Sequence, residues 1–311
     1  MKRHVPIILL VALILVRLGI ALLYDDHLSH DEVAHYSYAG YVGTMRELPN
    51  FAASKMFGDV VGDDMRWYQT YQQPGFYVAV APFALAGVKF ARVFSLSLWI
   101  AGVLLIWAVC RKWWMLLFLA LPGCILTSSM ITNQSLEFFG AAMLAYALRE
   151  GSDWIAMVAA VVFCMAKVTG IAVCGGLMAW YIWRQNPKAI YLAPGIAIGV
   201  YAFVDRVGLF AVNGTALQGV YESLVNFGHA VTTGLIDPMQ PKTEWLGVIG
   251  FIALAVAAFV IIRRWRWMIS TPNGVAVSIF AAITVWFTIT HGFSEGRLMY
   301  AAAPMLLVDS K

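Results

Sequence analysis

The chain has 311 residues, of which 61% are hydrophobic and only 12% charged, with a mean hydropathy of +0.75. A soluble domain carries roughly 25% charged residues, so this composition excludes an ordinary water-soluble fold and predicts a chain whose main solvent is lipid. The formal charge of +4 is modest and gives no sign of a nucleic-acid partner.

Backbone groups in lipid must be satisfied within the segment, which leaves helices or a closed barrel. The long, unbroken apolar runs select helices. Lys2, Arg3 and His4 precede a first span at 5–23, which places the N-terminus in the cytoplasm. The stretch reads as an uncleaved anchor, because no small-x-small cleavage site follows it. Residues 24–75 form a long first outer loop. It holds Asp25, Asp26, Asp31, Glu32, Glu47, Asp59, Asp63 and Asp64, close to half of the chain's 17 acidic residues.

Residues 76–88 are apolar but short and suit the interface. A span at 89–110 returns to Arg111 and Lys112, 115–131 goes out, and 136–148 comes back to Arg149. Two short arms, 154–167 and 168–183, flank an interruption near Gly170 and return to Arg184 and Lys188. Residues 189–204 go out, 205–244 form a second outer loop, 245–262 return to Arg263, Arg264 and Arg266, and 268–290 go out again. Every short basic turn then falls on one side and both long loops on the other. Leu298 to Val308 is too short to span comfortably: either it re-enters, or the chain is a shortened member of a longer family. The expectation is a single all-α polytopic domain over 1–311, with about nine or ten spans.

The four cysteines, Cys110, Cys124, Cys164 and Cys174, lie in apolar runs and read as small buried hydrophobes. His229 and His291 read as structural. Asn213-Gly214-Thr215 matches a glycosylation sequon, a weak signal here. The 205–244 loop, with Tyr221, Asn226 and Lys242, could bind an acceptor but carries no defensible motif.

The stretch SHDEVAHYSYAGYV (Ser29 to Val42) sits where the chain leaves the first span. It has three readings. Ser29 and Glu32 make a capping box, with Asp31 and Glu32 in a first helical turn whose dipole favours acids. Asp31 and His35 are four apart and share a face. Alternatively, His27, His30, Asp31 and His35 supply metal ligands, although the spacing fits no familiar zinc signature. Third, a carboxylate at a membrane surface is a general base for a hydroxyl or amine. Lys167 is a further candidate, since a lysine inside apolar sequence is costly and marks function by default.

SHDEVAHYSYAGYVGTMRELPN resembles the first outer loop of the GT-C superfamily of membrane glycosyltransferases, which includes protein O-mannosyltransferases and aminoarabinose transferases. Asp31, Glu32 and His35 match the family's proline-Asp-Glu-x-x-His motif, and Leu48-Pro49 matches its Leu-Pro, while His30 replaces the proline. YQQPGFYVAVAPF is similar to the family's Gln-Pro-Pro-Leu-Tyr-Tyr segment through Gln73, Pro74 and Tyr77, with Gly75 for the second proline. KFARVFSLSLW, MAKVTG and GRLMYAAAP resemble later family segments through Arg92, Lys167, and Gly296 with Arg297. Two departures stand out: Asn133-Gln134 replaces a common Asn-Asp, leaving Glu137 as the nearest acid, and the chain is shorter than most relatives.

The resemblance implies a GT-C fold and an inverting transferase that moves a sugar from a polyprenyl-phosphate donor to an unknown glycan, lipid or protein acceptor. Its site would face the non-cytoplasmic side, most simply of a bacterial or phage inner membrane. Asp31 would be the base, with Glu32 and His35 orienting it or lining the site. Lys167, Arg297 and Arg92 would hold the donor phosphate. Arg66, Tyr68, Gln73 and Tyr77 would line the substrate, although Arg66, Trp67 and Tyr68 also read as an interfacial belt. No cofactor is implied; a divalent metal is permitted by the acid-rich loop but not demanded. The competing readings are a lipid-linked sugar transporter or flippase, and a non-catalytic scaffold derived from a transferase.

Overall fold

The structure is a computed structural model that describes residues 5–25, 28, 30–46, 48, 72–110, 114–207, 220–235, 246–290, 300 and 302–308. Among the described residues every regular element is a helix. In chain order these are α1 (Val5–Leu23), α2 (His30–Met45), α3 (Gly75–Ala86), α4 (Val88–Cys110), α5 (Trp114–Leu119), α6 (Pro122–Ser129) and α7 (Gln134–Glu150). There follow α8 (Asp153–Ala166), α9 (Val168–Trp183), α10 (Ala189–Val207), α11 (Val220–Leu235), α12 (Leu246–Ser270), α13 (Pro272–Thr290) and α14 (Ala303–Leu307).

Among the described residues three helices, α1, α4 and α12, are long and apolar enough to cross a membrane. On α12, Phe251, Val256, Phe259 and Ile262 are each more than half exposed, a broad apolar surface suited to lipid. These features mark the chain as an all-helical membrane protein.

Four elements differ from the sequence reading, one being the 205–244 loop, which holds α11 packed against α12. The 115–131 stretch is two helices, because Pro122 has no N–H to continue α5 and instead starts α6 at its first turn. Residues 263–266 lie inside α12, not in a turn; the break falls at Thr271–Pro272, where the Thr271 hydroxyl accepts the Gly274 N–H at 3.1 Å. The first polar loop contains α2, a sixteen-residue helix with its own core.

The helices run back and forth between two ends. At one end meet the end of α1, the starts of α2, α3, α4 and α7, and the junction of α8 with α9. At the other, the Trp180 indole donates to the Ile269 carbonyl at 3.0 Å, Asn273 Nδ2 donates to the Val308 carbonyl, and Lys188 faces Asp153 at 3.8 Å. Arg149, Arg184 and Lys188 gather at this second end.

Two cores hold the bundle. The larger lies among α4, α7, α8, α9 and α13, with Trp99 stacked on Phe138 at 3.9 Å. The smaller lies between α2 and α3, where Tyr38 stacks on Tyr77 at 3.7 Å. Two glycines set the close approaches. A Cβ on Gly75 would lie 2.6 Å from the Met165 carbonyl oxygen, so the start of α3 abuts the end of α8. A Cβ on Gly170 would collide with the Phe163 carbonyl, so α9 folds back on α8 as a hairpin.

Arg17 is 2% exposed in the middle of apolar α1. Its Nε donates to Ser128 Oγ at 2.7 Å and its Nη1 to the Leu13 carbonyl at 3.0 Å. Its Nη2 reaches the Leu119 carbonyl, which the α5–α6 break leaves without a helical partner. Burying a cation is tolerable only with such partners. Arg17→Met keeps the stem but leaves Leu119 and Ser128 short of a donor. Thermal unfolding in detergent is expected to show a loss of about 2–4 kcal/mol; an unchanged melting temperature would contradict this role.

Candidate functional site

The first described end of the bundle collects most of the sequence-predicted residues. Glu32, in the first turn of α2, is wholly buried. Its two carboxylate oxygens accept from Arg92 Nε and Nη2 at 2.8 Å each, a bidentate pair. Oε2 also accepts the Leu28 N–H at 2.6 Å and Oε1 the Ile131 N–H at 2.9 Å. Arg92, equally buried in α4, spends Nη1 on the Tyr24 carbonyl at 2.6 Å. The pair ties α1, α2, α4 and the segment before α7 at one point. Asp31 precedes Glu32 in the same helical turn; its side chain lies outside the described residues.

One turn further along α2, His35 is 4% exposed, with Nδ1 and the Tyr77 hydroxyl 2.8 Å apart. Burial, reinforced by the nearby charge of Lys167 and partly offset by Glu32, pushes the imidazole down to about 3. His35 is therefore neutral at physiological pH. In the unfolded chain it protonates below about 6.5. The folded state thus binds fewer protons, so its stability is full above that value and falls as the pH drops from about 6.5 towards 3. Melting temperatures followed across this window are expected to fall for the wild type, and to lose that component in His35→Phe. The total is a few kcal/mol.

Lys167 sits between α8 and α9 with an extended backbone, φ −162° and ψ 155°. Its ammonium lies 3.9 Å from Glu137 Oε2, and its side chain is 11% exposed. The ammonium makes no hydrogen bond among the described residues. Glu137, one turn into α7, is 1% exposed and accepts a hydrogen bond from the Thr169 hydroxyl through its other oxygen.

Amides complete the site. Gln73 donates to the Gly199 carbonyl on α10 at 3.3 Å, while its buried Oε1 has no partner. Asn133 Nδ2 donates to Gln72 Oε1 at 3.0 Å, which joins the segment before α3 to the start of α7. Gln134 Oε1 and Ser135 Oγ are likewise buried and unpartnered. Buried polar atoms of this kind call for an explanation, a bound ligand being one.

The structure therefore brings Glu32, His35, Gln73, Tyr77, Arg92 and Lys167 together around the start of α2. Arg66, Tyr68 and Arg297 lie outside the described residues. So do His27 and the side chains of His30 and Asp31 that the metal reading needs. No group of three or more potential metal ligands occurs among the described residues. Sequence reading did not single out Arg17 or Thr169. Arg17 was legible as a lone cation in an apolar run; Thr169 carried no signal of its own. No family model, curated protein or solved structure matches the chain.

Proposed function

We propose that the chain is a GT-C-type membrane glycosyltransferase that moves a sugar from a polyprenyl phosphate to an acceptor at the non-cytoplasmic face. The observation that carries this reading is Lys167. It is a nearly buried ammonium at a helix break, with a long ion pair and no hydrogen bond among the described residues. A cation so poorly satisfied is built to meet an anion from outside the chain. Unpartnered amide and hydroxyl oxygens nearby suit a hydroxyl-bearing group next to that anion. The site lies opposite the end that gathers Arg149, Arg184 and Lys188, which agrees with a non-cytoplasmic location.

In this reading the donor's C1–O bond breaks with its electrons going to the phosphate, whose charge Lys167 stabilises. The acceptor oxygen bonds to C1 from the opposite face. Asp31 takes the acceptor's proton. Phosphate is already a stable anion as it leaves, so the reaction asks little of a general acid. Glu32 and Arg92 are positioning residues, because each is wholly buried and holds the other in a bidentate pair. They fix the turn that carries Asp31. His35, neutral and held by Tyr77, lines the site without bringing a second positive charge.

The test is sugar loss from a panel of polyprenyl-phosphate sugars with purified, detergent-solubilised protein, wild type beside Asp31→Asn. Consumption by the wild type, lost in a folded Asp31→Asn protein, supports the assignment. Full activity in Asp31→Asn removes Asp31 as the base. Movement of the lipid across reconstituted vesicles without sugar release would favour a transporter.

A further inference from the structure

Glu137 is the acid within ion-pair reach of Lys167 among the described residues, and three elements converge to place it there. It projects from the first turns of α7, Lys167 caps α8, and Thr169 lies in the first turn of α9. The pair is not a finished salt bridge. At 3.9 Å the charges attract without a hydrogen bond, and the ammonium's donors stay uncommitted. Glu137, in contrast, holds a second anchor in the Thr169 hydroxyl. The cation is loosely held, while the carboxylate is fixed.

We infer that Glu137 is the counter-ion of Lys167 that a phosphate monoester or diester displaces when it enters and takes the ammonium. This rests on the reading of Lys167 as a phosphate-binding group. A phosphate offers several oxygens and more negative charge than a carboxylate, so it can satisfy more of the ammonium's donors at once. The Lys167 side chain is 11% exposed, more than the 1% of its partner Glu137. Its extended backbone, between two helices and not within one, leaves its stem free of a helical rotamer. Thr169 gives Glu137 a remaining hydrogen bond after the cation turns away, which offsets part of the cost of leaving the carboxylate without its counter-charge. An acid and a cation that merely stabilised the fold would instead close to hydrogen-bonding distance.

Exchange of this kind means that Glu137 competes with the ligand. Equilibrium binding of polyprenyl monophosphate to the full-length purified protein tests it, using wild type, Glu137→Gln, Lys167→Gln and the double variant. Glutamine keeps the oxygen that Thr169 uses. Glu137→Gln is expected to bind about three- to fivefold tighter, the size of a loose ion pair. Lys167→Gln is expected to bind at least about tenfold weaker, and on that background the gain from Glu137→Gln is expected to vanish. Glu137→Asp, which withdraws the carboxylate by one methylene, is expected to move in the same direction and serves if glutamine impairs folding. The corresponding prenyl alcohol, lacking phosphate, is expected to bind all four proteins alike.

Weaker or unchanged binding in Glu137→Gln, with normal wild-type binding, would overturn the exchange and leave the phosphate reading standing. So would a gain that persists without Lys167. Absence of binding in wild type and in Glu137→Gln would overturn both readings together.

Discussion

Lys167→Met is expected to lower kcat/KM for sugar transfer from a polyprenyl phosphate by at least about 100-fold. The argument is electrostatic. In the proposed transfer, charge develops on the phosphate as the C1–O bond breaks, and a pre-placed cation shielded from bulk water is worth far more there than in water. Methionine keeps the length of the stem and its packing but supplies neither charge nor donors. One side effect must be separated. Without Lys167, Glu137 remains buried beside Thr169 with no cation, and the fold is weakened. Adding Glu137→Gln to Lys167→Met removes that cost, so the double variant is expected to melt close to wild type yet remain inactive. Lys167→Arg keeps the charge and is expected to regain part of the rate. A double variant that is stable and transfers sugar at the wild-type rate would show that Lys167 has no part in the reaction.

The all-helical membrane class was plain in the composition, and the spans at 5–23 and 89–110 fall almost residue for residue on α1 and α4. Long apolar runs report themselves, because lipid leaves the backbone no other solution. The discontinuities were harder. The α8–α9 break was visible as an interruption near Gly170, but its cause is tertiary: Gly170 has no Cβ to strike the Phe163 carbonyl, and so the chain turns one turn earlier, at Lys167. The α5–α6 break was signalled by Pro122 yet submerged in the hydropathy of 115–131. Within the site, residue types were legible and partnerships were not. Glu32 and Arg92 are sixty residues apart, and nothing local says that they meet. Arg92 was expected to hold the donor phosphate and Glu32 to orient Asp31 or line the site, since a lone acid and a lone arginine at a span's edge do not announce each other. Arg17 escaped notice for the opposite reason, being one polar residue diluted by eighteen others in α1.

Arg92→Met is expected to destabilise the protein by about 3–5 kcal/mol, as is Glu32→Gln, measured by thermal or denaturant unfolding in detergent. Both side chains are fully buried, so either single change takes from the other its bidentate partner at a place without water. Arg92→Met leaves a buried carboxylate that has lost the guanidinium and keeps the Leu28 and Ile131 N–H groups. Glu32→Gln leaves a buried guanidinium that has lost the carboxylate and keeps the Tyr24 carbonyl. The double variant has no buried charge at this point and is expected to recover a large part of the loss, giving a coupling energy above about 2 kcal/mol. The same variants decide between a clamp and a phosphate-holding arginine. Arg92→Lys keeps the charge but cannot reproduce the bidentate fork. If Arg92 is a clamp, that protein melts lower while the donor KM of the folded fraction stays unchanged. If Arg92 reaches the phosphate, KM rises with it. The clamp also predicts that loosening Glu32 disturbs the turn carrying Asp31, so kcat falls in Glu32→Gln even under conditions where the protein remains folded. A Glu32→Gln protein that is destabilised yet keeps the wild-type kcat would uncouple the clamp from the base.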